Sequence, residues 1–268
     1  MKYRIGATAW QLSCEPEKSL EFIKEAGLSF LQLDLGSAKK GWPLSKREVQ
    51  KTIEEEREKT GVEILSVVLN DLCENGFSHP ETNEKSEIAQ ETMRLGVEAA
   101  AALGINSICV PSFFDNSIRE PADYERTVSA LRVLCGHAAK YGILVYTENV
   151  LPAEALAGLF TNVGCENLRL LFDTQNYPFM AKRESGPIFK SVKSVCGDFL
   201  HVKDGISALS DAPLGKGSSH LCETLEAIVS SRFSGIYLLE NRYDSPQALR
   251  SEADILERLL TLAELSSL

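Results

Sequence analysis

Short apolar runs alternate along this chain with longer segments whose apolar residues recur at helical spacing. Eight runs have strand length: YRIGATA (3–9), FLQLDL (30–35), EILSVVLN (63–70), SICVP (107–111), ILVYTEN (143–149), LRLLFDT (168–174), DFLHVKD (198–204) and GIYLLEN (235–241). Between them the spacing predicts helices over 15–26, 84–103, 121–140, 219–232 and 245–265, with weaker helical patterns over 45–59, 152–162 and 187–195. Gly27, Gly104 and Gly142 close three of these segments, where a helix commonly ends in a left-handed residue. Eight β-then-α units in regular order predict one α/β domain over residues 1–268, a single (β/α)8 TIM barrel. An open, doubly wound sheet is the rival. Against it, the first βα turn, TAWQLSCE (8–15), has no glycine-rich dinucleotide fingerprint, and no phosphate-loop motif occurs.

In such a barrel alternate strand residues face inward, and the active site lies at the C-terminal ends of the strands. Four consecutive predicted strands end in a residue able to bind a metal: Glu148, Asp173, His201 and Glu240. Period two supports an inward aim, since Leu144, Tyr146 and Glu148 share a face, as do Ile236, Leu238 and Glu240. Any one of these carboxylates taken alone reads as a salt bridge or a solvated strand end, and a lone His as a structural one. Four at equivalent ends read as a site. Three carboxylates converging there need a cation or several protons to coexist. One nitrogen and three oxygen ligands suit Mn²⁺, Mg²⁺ or Co²⁺, and leave Zn²⁺ open.

Other polar residues share these strand ends. Lys203 lies two past His201 and is expected to face the same cavity, meeting either a substrate oxygen or a neighbouring carboxylate. Asn70 ends the third strand with inward parity, alongside Ser66 and Val68, and is a candidate substrate contact. Arg242, two past Glu240, is a candidate anion clamp. Asp204 is expected to point the other way in a structural role. Trp10 reads nearly equally as core or as an apolar wall of the same cavity.

Composition narrows the partners. Charged residues are 25% of the chain, and the formal net charge is −10 with no local basic patch, which disfavours nucleic acid. The 7 cysteines are odd in number and lack C-x-x-C spacing, so reduced thiols in a cytoplasmic protein are expected. No signal-peptide pattern or apolar run of membrane-spanning length occurs, so no membrane partner is expected.

The motifs YTEN (146–149), FDTQN (172–176), HVKD (201–204), PLGKG (213–217) and LLEN (238–241) follow one another in an order that resembles the xylose-isomerase-like TIM-barrel superfamily, and within it the sugar phosphate isomerase/epimerase group. The resemblance implies one divalent ion, manganese ahead of magnesium, cobalt or zinc, held by Glu148, Asp173, His201 and Glu240. It implies that Glu148 and Glu240 double as the acid/base pair. The expected reaction is isomerisation or epimerisation of a sugar or sugar-like polyol, by proton abstraction next to a carbonyl through an enediolate. A small-molecule sugar is then the partner, with homo-oligomer formation left open. Epimerases of the group usually carry a His three positions after the strand-six Asp. Here Asn176 stands there, able to bond a sugar hydroxyl but not to carry a proton, which argues against a ketose 3-epimerase. The alternatives are a polyol or keto-inositol dehydratase on the same site, a catalytically inactive sugar-binding protein, and a nuclease like the AP endonucleases.

Overall fold

The computed structural model describes residues 2–80 and 83–266. Strands and helices alternate along the chain: β1 Ile5–Thr8, α1 Ser19–Glu25, β2 Phe30–Asp34, α2 Arg47–Thr60, β3 Glu63–Val68, α3 Glu84–Ala102, β4 Ser107–Pro111 and α4 Pro121–Ala139. They continue as β5 Leu144–Glu148, α5 Ala153–Val163, β6 Leu168–Leu170, α6 Ser185–Val192, β7 Phe199–Val202, α7 Leu221–Ser230, β8 Ile236–Leu239 and α8 Pro246–Ser266. All eight expected strands form, and the three weaker helical patterns become α2, α5 and α6. None of the seven cysteines forms a disulfide. Among the described residues no helix is long and apolar enough to cross a membrane.

The chain divides into two compact units. One takes Met1–Leu31, Glu56–Glu63 and Leu171–Leu268; the other takes Gln32–Glu55 and Ile64–Leu170.

In the first unit, β8 lies between β7 and β1 in parallel register, with Phe199 opposite Ile236, Val202 opposite Leu239, and Ile5 opposite Tyr237. All residues of these three strands are buried, which explains why their sequences run apolar rather than strictly alternating. The next strand begins close by. A Cβ on Gly6 would lie 2.3 Å from the Phe30 carbonyl oxygen, so only glycine lets β1 approach so closely there. Aromatic rings pack in a chain from Tyr3 through Tyr237, Phe233 and Phe189 to Phe172, with centroids 5.0 to 6.5 Å apart, and Tyr177 stacks on Phe172 at 5.7 Å. Such pairs add about 0.5–1.5 kcal/mol each beyond their buried area. They fix Phe172, and with it the segment that carries Asp173.

In the second unit β3 pairs with β4, β4 with β5 from Ser107–Leu144 to Pro111–Glu148, and β5 with β6 from Val145–Leu168 to Thr147–Leu170, all parallel. Helix starts are set by local chemistry. The Asn83 side chain accepts the Lys85 N–H at the start of α3. Glu120 and Asp123 form a reciprocal capping box around Pro121 at the start of α4. Each cap contributes about 1 kcal/mol.

Candidate metal centre

The segment after β6 leaves regular strand geometry at Leu170 but is recaptured by β7. His201 donates its backbone N–H to the Phe172 carbonyl at 2.9 Å, and Thr174 N–H returns to the His201 carbonyl at 3.2 Å, leaving Asp173 opposite His201. The Thr174 hydroxyl extends this seam, donating to the Lys203 carbonyl at 3.0 Å and accepting the Lys203 N–H at 3.1 Å. On the other side of β7, Glu240 N–H bonds the Val202 carbonyl at 2.9 Å. The backbone thus sets Asp173, His201, Lys203 and Glu240 at one level. Strand parity then turns His201 and Lys203 to the same face.

Their side chains meet. Lys203 Nζ lies 2.7 Å from Glu240 Oε2 and 3.2 Å from Asp173 Oδ2, and His201 Nδ1 lies 3.2 Å from Glu240 Oε2. The remaining carboxylate oxygens are taken by neutral donors. Asp173 Oδ1 accepts the backbone N–H groups of Gln175 and Asn176, each at 2.7 Å, and Glu240 Oε1 accepts the Trp10 indole N–H at 3.2 Å. All four residues are buried, His201 completely. Burial alone pushes the Glu240 carboxyl up; the adjacent charges of Lys203 and His201 outweigh it and hold the group well below the ordinary carboxylate range.

The potential ligand atoms of Asp173, His201 and Glu240 all lie within 4.8 Å of one another. Two buried carboxylates and an imidazole at that spacing suit a divalent ion with nitrogen and oxygen ligands. A cation, the Lys203 ammonium, already sits against one oxygen of each carboxylate. The cluster can therefore hold a divalent metal.

The other expected residues are placed as follows. Glu148 is the last residue of β5 in the second unit and is buried. Asn176 is buried in the first unit, and its backbone N–H braces Asp173. Asn70 follows β3 in the second unit, half-buried, and donates to Asp34 Oδ2 at 3.4 Å. Arg242 departs from the parity expectation. The chain leaves β8 at Leu239 and pairs instead with the segment after β1: Tyr243 N–H bonds the Gln11 carbonyl, and Ser13 N–H the Tyr243 carbonyl, both at 2.9 Å. This turn leaves Arg242 exposed and outside the buried cluster.

Two residues, Thr174 and Asp34, were not legible in the sequence, and a third, Trp10, takes a part beyond the core or apolar wall expected of it. The Trp10 indole donates to Glu240, and its ring meets the His201 ring edge-on at 5.9 Å; the signal available was that a part-buried indole N–H needs an acceptor. Thr174 rivets β7 to the chain after β6. Asp34 ends β2 as Glu148 ends β5, so the same strand-end rule applied. Burial raises its carboxyl pKa, against the lowering effect of bonds from Gly36 and Asn70.

Asp204, next to Lys203, faces away from the cluster as parity predicts. Its Oδ1 accepts Gly205 N–H at 2.9 Å and Ser219 Oγ–H at 2.6 Å; its Oδ2 accepts Gly215 N–H at 2.9 Å and Gly217 N–H at 3.0 Å. Gln175 ties the same loop to the segment after β6, donating to the Ala208 carbonyl and accepting Ser210 N–H, each at 3.0 Å. The Ser210 hydroxyl closes the circuit on the Glu240 carbonyl at 2.7 Å.

The family model described as xylose isomerase-like TIM barrel matches residues 20–259. A 2-epi-5-epi-valiolone 7-phosphate 2-epimerase of Actinoplanes sp. is 27% identical over 257 residues, covering 95% of this chain and 93% of that protein. Among solved structures, 3-keto-D-glucoside 4-epimerase from E. coli is 17% identical with a TM-score of 0.71, covering 97% of this chain and 100% of its own. A xylose isomerase-like TIM barrel protein from Mycobacterium smegmatis in complex with magnesium is 15% identical with a TM-score of 0.71, covering 98% of each chain.

Proposed function

The chain belongs to the xylose isomerase-like TIM barrel family, and from that premise we propose that it is a divalent-metal-dependent epimerase of sugar-like keto polyols, inverting a carbon next to a carbonyl. The observation that carries this is the buried Asp173–His201–Glu240 cluster, in which one oxygen of each carboxylate meets the Lys203 ammonium. The name of the Actinoplanes relative, a 2-epimerase matched along nearly the whole chain, favours epimerisation over dehydration. Manganese is taken as the first candidate ion, ahead of magnesium, cobalt and zinc, although nitrogen and carboxylate ligands together suit several of them.

Glu148 is the fourth ligand in this reading. When bound, the metal supplies Lewis acidity to the substrate's carbonyl oxygen and makes the neighbouring C–H acidic enough to lose its proton. Glu148 and Glu240 form the acid/base pair: one carboxylate takes the proton from the carbon, and the other delivers a proton to the opposite face. Trp10 holds Glu240 through its indole N–H, and the two backbone bonds to Asp173 Oδ1 leave Oδ2 as its ligand atom. The Asn176 amide hydrogen-bonds a substrate hydroxyl; the Asn70 amide contacts the substrate as well.

The test is solvent exchange. Manganese-loaded protein incubated in D₂O with keto-cyclitols and ketoses, free and phosphorylated, is expected to place one deuterium at the carbon beside the carbonyl and to give the epimer, both read by NMR. Glu240→Gln is expected to slow this by at least about 10³-fold while the circular dichroism is kept. Loss of water instead of deuterium uptake would assign the site to a lyase. Exchange unaffected by Glu240→Gln would overturn the mechanism.

A further inference from the structure

The position of Lys203 has a consequence for how the site is loaded. Each carboxylate of the cluster has one oxygen committed to neutral donors, Asp173 Oδ1 to two backbone N–H groups and Glu240 Oε1 to the Trp10 indole. The other two oxygens are Asp173 Oδ2 and Glu240 Oε2, the latter also 3.2 Å from His201 Nδ1. These are the atoms that Lys203 Nζ touches, at 3.2 and 2.7 Å. A divalent ion bound to both oxygens would sit about 2.1 Å from each. That places it in or beside the volume of the ammonium group, where a dication and a monocation repel strongly in a buried setting. The lysine stem rises from a backbone position riveted by Thr174, so the headgroup can move only by rotating its side chain.

We propose that Lys203 is the resident counter-cation of the metal-free centre: it neutralises Asp173 and Glu240 until a divalent ion displaces its ammonium. The inference rests on the metal reading of the cluster above. It gives the neighbouring residues of the HVKD run opposite duties, Lys203 exchangeable and Asp204 fixed. It also separates two roles that a lysine beside metal ligands could have. A competitor weakens metal binding. A positioning residue that orients the ligands strengthens it.

Calorimetric titration of the chelator-treated full chain with Mn²⁺ and with Mg²⁺ decides the matter by sign. Lys203→Met is expected to bind either metal at least about tenfold more tightly than wild type. The metal-free Lys203→Met protein is expected to melt below metal-free wild type, because two buried carboxylates lose their cation, and to gain more in melting temperature on adding Mn²⁺. Lys203→Arg, which keeps the charge on a bulkier head, is expected to bind no more tightly than wild type. Should Lys203→Met fold only with metal present, wild type itself supplies the readout: its manganese-bound crystal structure is expected to show Nζ out of hydrogen-bond reach of Asp173 Oδ2. Unchanged or weaker metal binding by Lys203→Met, or Nζ still seated between both oxygens beside a bound ion, overturns the competitor role and leaves the metal reading standing. Absence of binding by wild type and variants alike overturns the metal reading, and this inference with it.

Discussion

The loop after β7 and the strand-end cluster beside it both bury carboxylates, and they satisfy them with different donors. Asp204 accepts four neutral groups, three backbone N–H and one hydroxyl, all from the loop it organises. Glu240 and Asp173 share the Lys203 ammonium, Glu240 also meets the His201 imidazole, and each gives one oxygen to neutral donors. Neutral N–H donors are part of the chain and cannot leave without unfolding the loop. An ammonium on a four-carbon stem can leave and be replaced by another cation. In the proposed reading a carboxylate therefore serves as a structural hub at Asp204 and as an exchangeable binding group at Asp173 and Glu240. What separates the two is the charge and tethering of the donors, since both carboxylates are buried.

Removing each hub should sharpen this contrast. Asp204→Ala orphans four donors at once and is expected to cost about 3 kcal/mol or more in urea unfolding, while metal affinity measured at a temperature where the protein is folded changes little. Asp173→Asn is expected to do the reverse, lowering Mn²⁺ affinity at least about tenfold with a smaller loss of stability, because an amide oxygen can still accept the Gln175 and Asn176 N–H groups. If both variants lose stability and affinity in equal measure, the two regions are one unit and the contrast fails. Gly217→Ala is a gentler break. A Cβ there would lie 2.1 Å from Asp204 Oδ1, so the loop must shift, and a loss of about 1–3 kcal/mol with metal binding retained is expected.

The smallest effect concerns Asp211, an exposed carboxylate that clamps the same loop. It accepts the Ser207 hydroxyl at 2.7 Å and the backbone N–H groups of Ile206, Ser207 and Ala208, and these bonds lower its pKa to about 2. A lowered folded value means that the clamp is at full strength above the ordinary carboxylate value of 3.8 and is lost as pH falls through about 2. The amide resonances of Ile206 and Ala208 should titrate with that midpoint and lose the transition in Asp211→Asn.

Much of this arrangement was legible in the sequence because it follows from period and order. The βα alternation, the strand ends carrying Glu148, Asp173, His201 and Glu240, and the opposite facing of Lys203 and Asp204 all come from strand parity. Parity failed where regular strand ended. Arg242, two past Glu240, lies beyond the end of β8 on a turn that re-pairs Tyr243 with Gln11 and Ser13. The expected strand over 168–174 stops at Leu170, because the Asp173 carboxylate draws the following N–H groups into a turn. Partners were beyond reach for a different reason. Lys203 had two candidate partners, a substrate oxygen or a carboxylate, and only side-chain geometry chooses between them. Trp10 and Glu240 are 230 positions apart, so nothing in the local sequence of either announces the bond.

The chain has two tryptophans, and one of them, Trp10, hands its indole N–H to Glu240 and leans its ring on His201. An indole so placed is a built-in optical gauge. A change in charge or position at Glu240 is expected to register in its emission, so occupancy of this centre can be followed in the unlabelled protein, with Trp10→Phe, in which Trp42 is the one tryptophan left, as the control.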